Sequence, residues 1–227
     1  MSYYACNLHA IPDGSDSPSR LALFARRLGY FGIVICNHYG LDNAFYPEAS
    51  KNIEKMDVAW GIEVVSADIK ALKNQISSTR GRVDFLSVHG GTEGVNRAAC
   101  EDPKVDMLAH PDSRGQSLSI AAVRAAFQNE VAIGFDLRPM IQLRGSQRSK
   151  WFTVFRRNLE LARKFDLKMI LTTDARSHLD LRAPREMIAL AKVAGMEENE
   201  AIEALIYPQK IIDLNRKRWA APGVELL

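Results

Sequence analysis

Cysteine is scarce in this 227-residue chain, and the three that occur lie far apart. Cys6, Cys36 and Cys100 form no paired CxxC spacing, so neither a disulfide framework nor a zinc knuckle is indicated. No stretch approaches the roughly 18 apolar residues of a membrane span, and the N-terminal residues lack the basic and apolar regions of a signal peptide. We therefore expect a soluble protein of the reducing cytoplasm that does not associate with membranes.

The chain also lacks a large excess of either charge and any linker rich in proline, glycine and serine. Hydrophobic residues make up 47% and charged residues 25%, which is the composition of an ordinary globular protein. The formal net charge of +3 permits a polyanionic partner without requiring one. Because no shift in composition divides the chain, we expect one domain over residues 1–227.

The sequence does contain an alternation of short apolar runs with longer amphipathic segments. This alternation is typical of buried parallel strands joined by crossover helices, so it predicts an α/β fold. The seven predicted strands cover residues 3–9, 32–37, 58–65, 83–89, 105–110, 131–137 and 168–173. The predicted helices cover residues 19–28, 67–77, 118–129 and 151–165, followed by residues 198–218 with an interruption near Pro208. A closed barrel and an open doubly wound sheet share this pattern.

Polar side chains stand at the ends of most of the predicted strands. If the strands form a barrel, their C-terminal ends gather such side chains at one face. Four of the five histidines and two carboxylates occupy these positions, namely His9, His38, Glu63, His89, His110 and Asp174. Imidazole and carboxylate groups are the usual ligands of metal ions that activate water for hydrolysis. For any single residue a loop hydrogen bond is the simpler explanation, but six together favour a metal-binding ring. His178, by contrast, is expected to be a solvated loop residue.

Six short motifs surround these strand ends: Asn7-Leu8-His9, Pro12-Asp13-Gly14, Cys36-Asn37-His38, Gly61-Ile62-Glu63, Leu108-Ala109-His110-Pro111 and Thr173-Asp174-Ala175. They resemble the strand-end motifs of the polymerase-and-histidinol-phosphatase (PHP) superfamily. The resemblance implies a distorted, TIM-barrel-like β/α barrel of about seven parallel strands with surrounding helices. Active members of that superfamily use the barrel to hold two or three metal ions for phosphoester hydrolysis.

Two positions depart from the PHP pattern. The first motif of such enzymes is His-x-His, where this chain has His9-Ala10-Ile11, and the last is Asp-x-His, where it has Asp174-Ala175-Arg176. Both departures remove a metal-binding nitrogen, and a guanidinium cannot ligate a cation. The six strand-end residues are therefore predicted to be the remnant of a metal site, with no bound metal, no other cofactor and no catalytic residue.

Three longer segments carry a more specific resemblance. Residues 90–97, 105–111 and 180–186 read GGTEGVNR, VDMLAHP and DLRAPRE. They resemble the family of ribonuclease P protein component 3, the archaeal counterpart of a human ribonuclease P subunit, over nearly the whole chain. The resemblance implies a non-catalytic barrel subunit that assists the ribonuclease P RNA in removing the 5′ leader of precursor tRNA. It also implies ribonuclease P protein component 2 and other ribonuclease P proteins as partners.

A basic segment follows the sixth predicted strand. Residues 138–157 contain no acidic residue and six cations, namely Arg138, Arg144, Arg148, Lys150, Arg156 and Arg157. Gly145-Ser146-Gln147 at its centre suggests a mobile loop at the same barrel end as the histidines. Arg176, Arg182 and Arg185 follow the next strand and complete the predicted RNA-binding set, together with Arg97 from the GGTEGVNR motif. Phosphate neutralisation by such side chains provides most of the affinity for RNA, although a solvated charged face is the commoner explanation of a charge run.

Three functions therefore remain open on the sequence alone. The first is the non-catalytic ribonuclease P subunit. The second is a metal-dependent PHP-type phosphoesterase that uses the strand-end residues. The third is a barrel scaffold that binds only proteins. Trp151, beside the basic segment, is a candidate for stacking on a base, although an aromatic residue in an apolar pattern is more often part of the core.

Overall fold

The computed structural model describes residues 2–40, 52–53, 55–112, 115–221 and 224–225. Its main sheet contains β1 (Tyr4–Leu8), β2 (Gly32–His38), β3 (Asn52–Ile53), β4 (Met56–Val64), β5 (Phe85–His89), β6 (Met107–Ala109), β7 (Ala132–Asp136) and β8 (Met169–Thr172). Seven of these strands pair in parallel, in the order β2-β1-β8-β7-β6-β5-β4, and β2 also pairs with β4, so the seven strands form a ring. Strand β3 adds to β4 in the antiparallel direction.

All seven predicted strands are confirmed, and their ends agree with the prediction to within two residues. The parallel closed ring also confirms the α/β, TIM-barrel-like fold and excludes the open doubly wound sheet. The pairing that completes the ring joins Cys6 in β1 to Thr172 in β8. The Thr172 hydroxyl donates a hydrogen bond of 2.7 Å to the Cys6 carbonyl at this seam.

Helices surround the ring: α1 (Pro18–Arg27), α2 (Ile69–Thr79), α3 (Glu93–Cys100), α4 (Ile120–Gln128), α5 (Arg138–Gln142), α6 (Gly145–Lys164), α7 (Pro184–Ala194) and α8 (Glu198–Arg218). Ser17, Asp68, Thr92 and Ser119 begin four of them, because their side-chain oxygens accept hydrogen bonds from backbone N–H groups of the first turn. A short hairpin of β9 (Trp219–Ala221) and β10 (Val224–Glu225) follows α8. None of the helices in the described residues is long and apolar enough to cross a membrane.

The predicted mobile loop at residues 145–147 is wrong, because α6 begins at Gly145 rather than near residue 151. Arg144 is extended at the N-cap and the short helix α5 precedes it, so the chain turns at residues 143–144 instead. The Arg148 Nε donates a 2.7 Å hydrogen bond to the Leu143 carbonyl and ties the first turn of α6 to this turn.

The predicted interruption at Pro208 is also wrong, because α8 continues through it. A proline removes one backbone hydrogen bond from a helix, so another interaction must hold the helix together. Ala204, Leu205, Ile211 and Ile212 on either side of Pro208 are buried, and this packing keeps the helix continuous.

Helix α8 closes the N-terminal end of the barrel. Its Ile211 and Ile212 pack against Tyr4 and Phe85 in the barrel interior. Further along, Arg216 donates hydrogen bonds of 2.9 and 3.0 Å to the Asp57 carboxylate, close to the start of β4. Among the described residues, the carboxyl ends of the strands therefore form the accessible end of the barrel.

Candidate functional site

The carboxyl ends of the strands bring all six predicted strand-end residues together. They join three further polar residues in what we call the strand-end cluster: Asn7, His9, Asp13, His38, Glu63, His89, His110, Asp136 and Asp174. Potential ligand atoms of His9, His38 and Glu63 lie within 4.8 Å of one another, and so do those of Glu63, His89 and His110. The cluster therefore has the composition and spacing of a metal-ligand set.

His9 lies at the centre of the cluster and is fully buried. Its Nδ1 is 2.7 Å from an oxygen of Asp13, and its Nε2 is 2.7 Å from Oδ1 of Asp174. Asn7, also fully buried, donates from Nδ2 to Glu63 at 2.9 Å and to Asp174 at 3.2 Å. Both nitrogens of His9 therefore contact carboxylates, and the amide of Asn7 bridges Glu63 and Asp174.

The remaining histidines line the mouth of the barrel. The Asp13 carboxylate lies 2.9 Å from Nδ1 of His38. The His38 ring stacks on the His9 ring, with centroids 4.8 Å apart. His89 is 2.6 Å from Glu63 through its Nδ1, and its ring lies 4.7 Å from that of His110. His110 in turn is 3.2 Å from Asp174.

Backbone conformation positions several of these side chains. Asn7, His110 and Asp174 have φ values of 57°, 47° and 46°, a left-handed region that L residues adopt only when their surroundings compensate the strain. Gly90 allows close packing between two strand-end loops, because a Cβ at this position would lie 2.3 Å from the His110 carbonyl oxygen. The cluster therefore depends on loop geometry as well as on side-chain identity.

The interactions within the cluster favour the protonated forms of His9 and His110 and the ionised form of Asp174. Burial by itself lowers the pKa of His9, but the hydrogen bonds to Asp13 and Asp174 outweigh it and raise this pKa to about 9. Burial also opposes protonation of His110, yet Asp136 and Asp174 raise its pKa well above the usual range. Burial favours the neutral form of Asp174, whose pKa is nevertheless lowered by His110 and His9. Both imidazoles therefore carry a positive charge at neutral pH.

Two arginines add fixed positive charge to this end of the barrel. Arg138 donates from Nη1 to Oδ2 of Asp174 at 2.6 Å and to the Asp174 carbonyl at 3.3 Å. Arg176 lies farther away, with nitrogens 3.6 Å from Asp13 and 3.9 Å from Asp174. Guanidinium groups thus neutralise carboxylates that would hold cations in a metallohydrolase, and neither can serve as a ligand. The residues present do not fit a complete set of ligands for two or three metal ions.

Sequence reasoning missed four contributors to this site. Asn7 and Asp13 stand in motifs that were recognised, but only the neighbouring histidines were selected from them. Asp136 ends β7 as His89 ends β5, so its position was a usable signal. Arg138 was selected for RNA, and the structure instead directs one of its nitrogens into the strand-end cluster. The prediction for His178 needs correction, because it is partly buried, 2.7 Å from Asp16, and packs on Phe24.

Apart from Arg138 and Arg176, the predicted RNA-binding residues fall into two groups. Arg144, Arg148 and Lys150 lie in or next to the first turns of α6, at the same barrel end as the strand-end cluster. Arg182 follows β8, where its Nη1 donates to the Leu179 carbonyl, and the exposed Arg185 begins α7.

The second group consists of residues that contact other helices or acids. Arg156 donates to the Ala194 carbonyl at 3.1 Å. Arg157 pairs with Glu160 at 3.0 Å, and Arg97 pairs with Glu101 at 2.7 Å. The structure therefore places Arg144, Arg148 and Lys150 at the start of α6, and Arg97, Arg156 and Arg157 farther along α3 and α6. Trp151 is buried against Phe155 as part of the core.

The closed parallel ring and its surrounding helices define a TIM-barrel-like α/β protein with a polar cluster at the carboxyl ends of its strands. Solved structures agree: histidinol phosphate phosphatase from Lactococcus lactis matches with a TM-score of 0.58 and 16% identity, covering 86% of this chain and 95% of that one. A chain of archaeal ribonuclease P with mature tRNA matches with a TM-score of 0.80 and 23% identity, covering 98% and 97%. At these identities the likeness shows the fold.

The sequence comparisons are more specific. Residues 2–220 match the model of the RNase P subunit p30 family. Ribonuclease P protein component 3 of Methanosarcina mazei is 42% identical, with 99% of this chain and 95% of that protein covered. The same component of Methanothermobacter thermautotrophicus is 34% identical, with 93% and 91% covered. The chain belongs to the RNase P subunit p30 family and is a protein subunit of ribonuclease P, an endoribonuclease of tRNA maturation.

Proposed function

We propose that this protein acts in the cytoplasm as one domain over residues 1–227 and assists the ribonuclease P RNA without performing chemistry itself. The observation that supports a non-catalytic role is the ion pair of 2.6 Å between Arg138 and Asp174. A guanidinium supplies positive charge but offers no open coordination position, and it cannot lower the pKa of a bound water as a metal does. Removal of the 5′ leader from precursor tRNA is then left to the RNA.

The proposed RNA-binding surface is the barrel end that carries the strand-end cluster. Its centre is formed by Arg144, Arg148 and Lys150, with Arg176, Arg182 and Arg185 on neighbouring loops. The absence of acidic residues from positions 138–157 leaves this cationic stretch without local neutralisation in the sequence. The remaining barrel surface offers room for ribonuclease P protein component 2 and the other protein partners.

The test is reconstituted cleavage of precursor tRNA with the RNA and its partner proteins. We expect Arg144→Ala combined with Arg148→Ala to weaken RNA binding and to reduce the slope of log affinity against log salt by about 1 for each lost phosphate contact. The matched control is Lys70→Ala with Lys73→Ala, which removes two exposed cations from α2. Equal activity and equal salt dependence of the two double variants would remove the RNA-facing assignment.

The ligand-like spacing within the strand-end cluster supports one competing function, a metal-dependent phosphoesterase. Metal analysis of freshly purified protein, before and after dialysis against chelator, separates the two. We expect less than one tightly held transition-metal ion per chain and no hydrolysis of a phosphomonoester by the isolated protein. Two or more retained ions per chain, with chelator-sensitive hydrolysis, would establish the competing function.

A further inference from the structure

A cavity of about 690 Å³ opens beside the strand-end cluster, between the loops after β5, β6 and β8 and the helices α5 and α6. Its volume falls in the range of about 300–1,000 Å³ that is typical of small-molecule sites. His89, His110 and Asp136 of the cluster form one side. Lys150 also lines the cavity, which therefore borders the proposed RNA-binding surface.

The walls of this cavity differ in chemistry. Pro139 and Leu143, from α5 and the turn after it, and Val154 from α6 form an apolar side. The carboxyl group of Asp112 forms part of the polar side, and the indole N–H of buried Trp151 lies near it without a well-aligned hydrogen bond. An apolar wall facing a few polar groups is the arrangement that holds an unstacked base.

Charge is also divided between the depth of the cavity and its rim. The lining holds the carboxylates of Asp112, Asp136 and Asp174, which outnumber the two cationic groups of His110 and Arg138 that pair with Asp136 and Asp174. A phosphate inside would therefore meet a net negative charge. Lys150 stands at the rim, and Arg148 lies half a turn before it on the same helix. Arg148 is held through Nε, and its terminal nitrogens can still reach toward a phosphate. The distribution matches a nucleotide whose base enters while its phosphate stays outside.

We propose that this cavity binds one unstacked nucleotide of single-stranded RNA, with the base against Val154 and Leu143 and its N–H donors toward Asp112. The inference rests on the proposed function, since it gives the RNA-binding surface a specific subsite. A carboxylate only accepts hydrogen bonds, so guanine, with adjacent N1–H and N2–H donors, matches Asp112 better than uracil, which has one N–H.

The experiment measures fluorescence anisotropy of the full chain with labelled single-stranded RNA made of uridines with one central guanosine. Val154→Phe fills the cavity from α6, and Val193→Phe is the matched control on α7, where the side chain is 61% exposed and outside the lining. We expect Val154→Phe to weaken single-strand binding about tenfold, because the added ring occupies the space proposed for the base, while Val193→Phe binds normally. Asp112→Asn should abolish the preference over an all-uridine strand.

Duplex RNA separates base binding from phosphate binding, because its bases are not available to the cavity. Val154→Phe should bind duplex RNA as the unaltered chain does, which also shows that the variant is folded. Equal single-strand affinity of the Val154 and Val193 variants would overturn the cavity proposal. If Arg148→Ala still weakened binding in that case, the RNA-facing assignment would stand without it. Failure of the unaltered chain to bind either RNA would remove both.

Discussion

At the scale of single residues, His9 joins two carboxylates at the centre of the strand-end cluster. It is fully buried, yet its two nitrogens contact Asp13 and Asp174, and its pKa is raised to about 9. The imidazolium therefore supplies one of the charges that hold the strand-end cluster together. A neutral imidazole could satisfy only one of the two carboxylates as a donor.

This protonation links stability to pH. Because the folded state raises the pKa of His9, its contribution is fully present below about 6.5, the ordinary value, and is lost as the pH rises through about 9. We expect the free energy of unfolding to fall by roughly 3 kcal/mol between pH 6.5 and pH 9.5, with His110 acting in the same direction. Urea unfolding at several pH values across this range measures the free energy of unfolding.

The variants for this test are His9→Gln and, as the control outside the cluster, His178→Gln. The first should flatten the alkaline decline in stability, and the second should retain it. An unfolding free energy for the unaltered chain that stays constant from pH 6.5 to 9.5 would show that His9 is neutral in the folded protein.

At the scale of elements, the loops after the strands are as constrained as the strands themselves. Gly90 follows β5, and a Cβ there would meet two backbone carbonyl oxygens, His110 at 2.3 Å and Ala109 at 2.8 Å. Backbone atoms cannot rotate away as a side chain can, so the loops after β5 and β6 must separate to admit a methyl group. The first glycine of the GGTEGVNR motif is thus required by close packing between two loops.

Gly90→Ala should therefore destabilise the protein by about 2–3 kcal/mol, the cost of overpacking a tight contact. Gly91→Ala is the matched control, because the nearest atom to its added Cβ is 3.7 Å away, on Val95. We expect that control to change the unfolding free energy by less than about 1 kcal/mol. Equal urea midpoints for the two variants would show that the loops around Gly90 admit a methyl group without cost.

Elements were predictable from the sequence where the signal was local. All seven barrel strands could be located because each is a short apolar run between polar segments. Helices α3 and α5 were not, since α3 has eight residues including Gly94 and Asn96, and α5 has only five. The start of α6 was misplaced because Gly145 and Ser146 have low helix propensity, while a local hydrogen bond from Arg148 to the Leu143 carbonyl holds the first turn.

At the scale of the whole molecule, the two ends of the barrel differ in the polarity of their side chains. Helix α8 covers one end with apolar packing and the Arg216 ion pair, while the other end gathers polar side chains from distant segments. Closure of the ring could not be derived from periodicity, because it depends on pairing between Cys6 and Thr172, far apart in the chain. The strand-end residues could be predicted, because parallel strands place their carboxyl ends together.

The pairing of Arg138 with Asp174 has a consequence for biogenesis. In a metal-dependent barrel the counter-charge for the carboxylates is acquired from solution, so the state of that end follows the supply of ions and is reversed by chelators. Here part of that counter-charge is encoded in the chain, because Arg138 neutralises Asp174 as soon as the protein has folded. Under the proposed non-catalytic role, such a subunit needs no metal-loading step before it enters an RNA-containing particle.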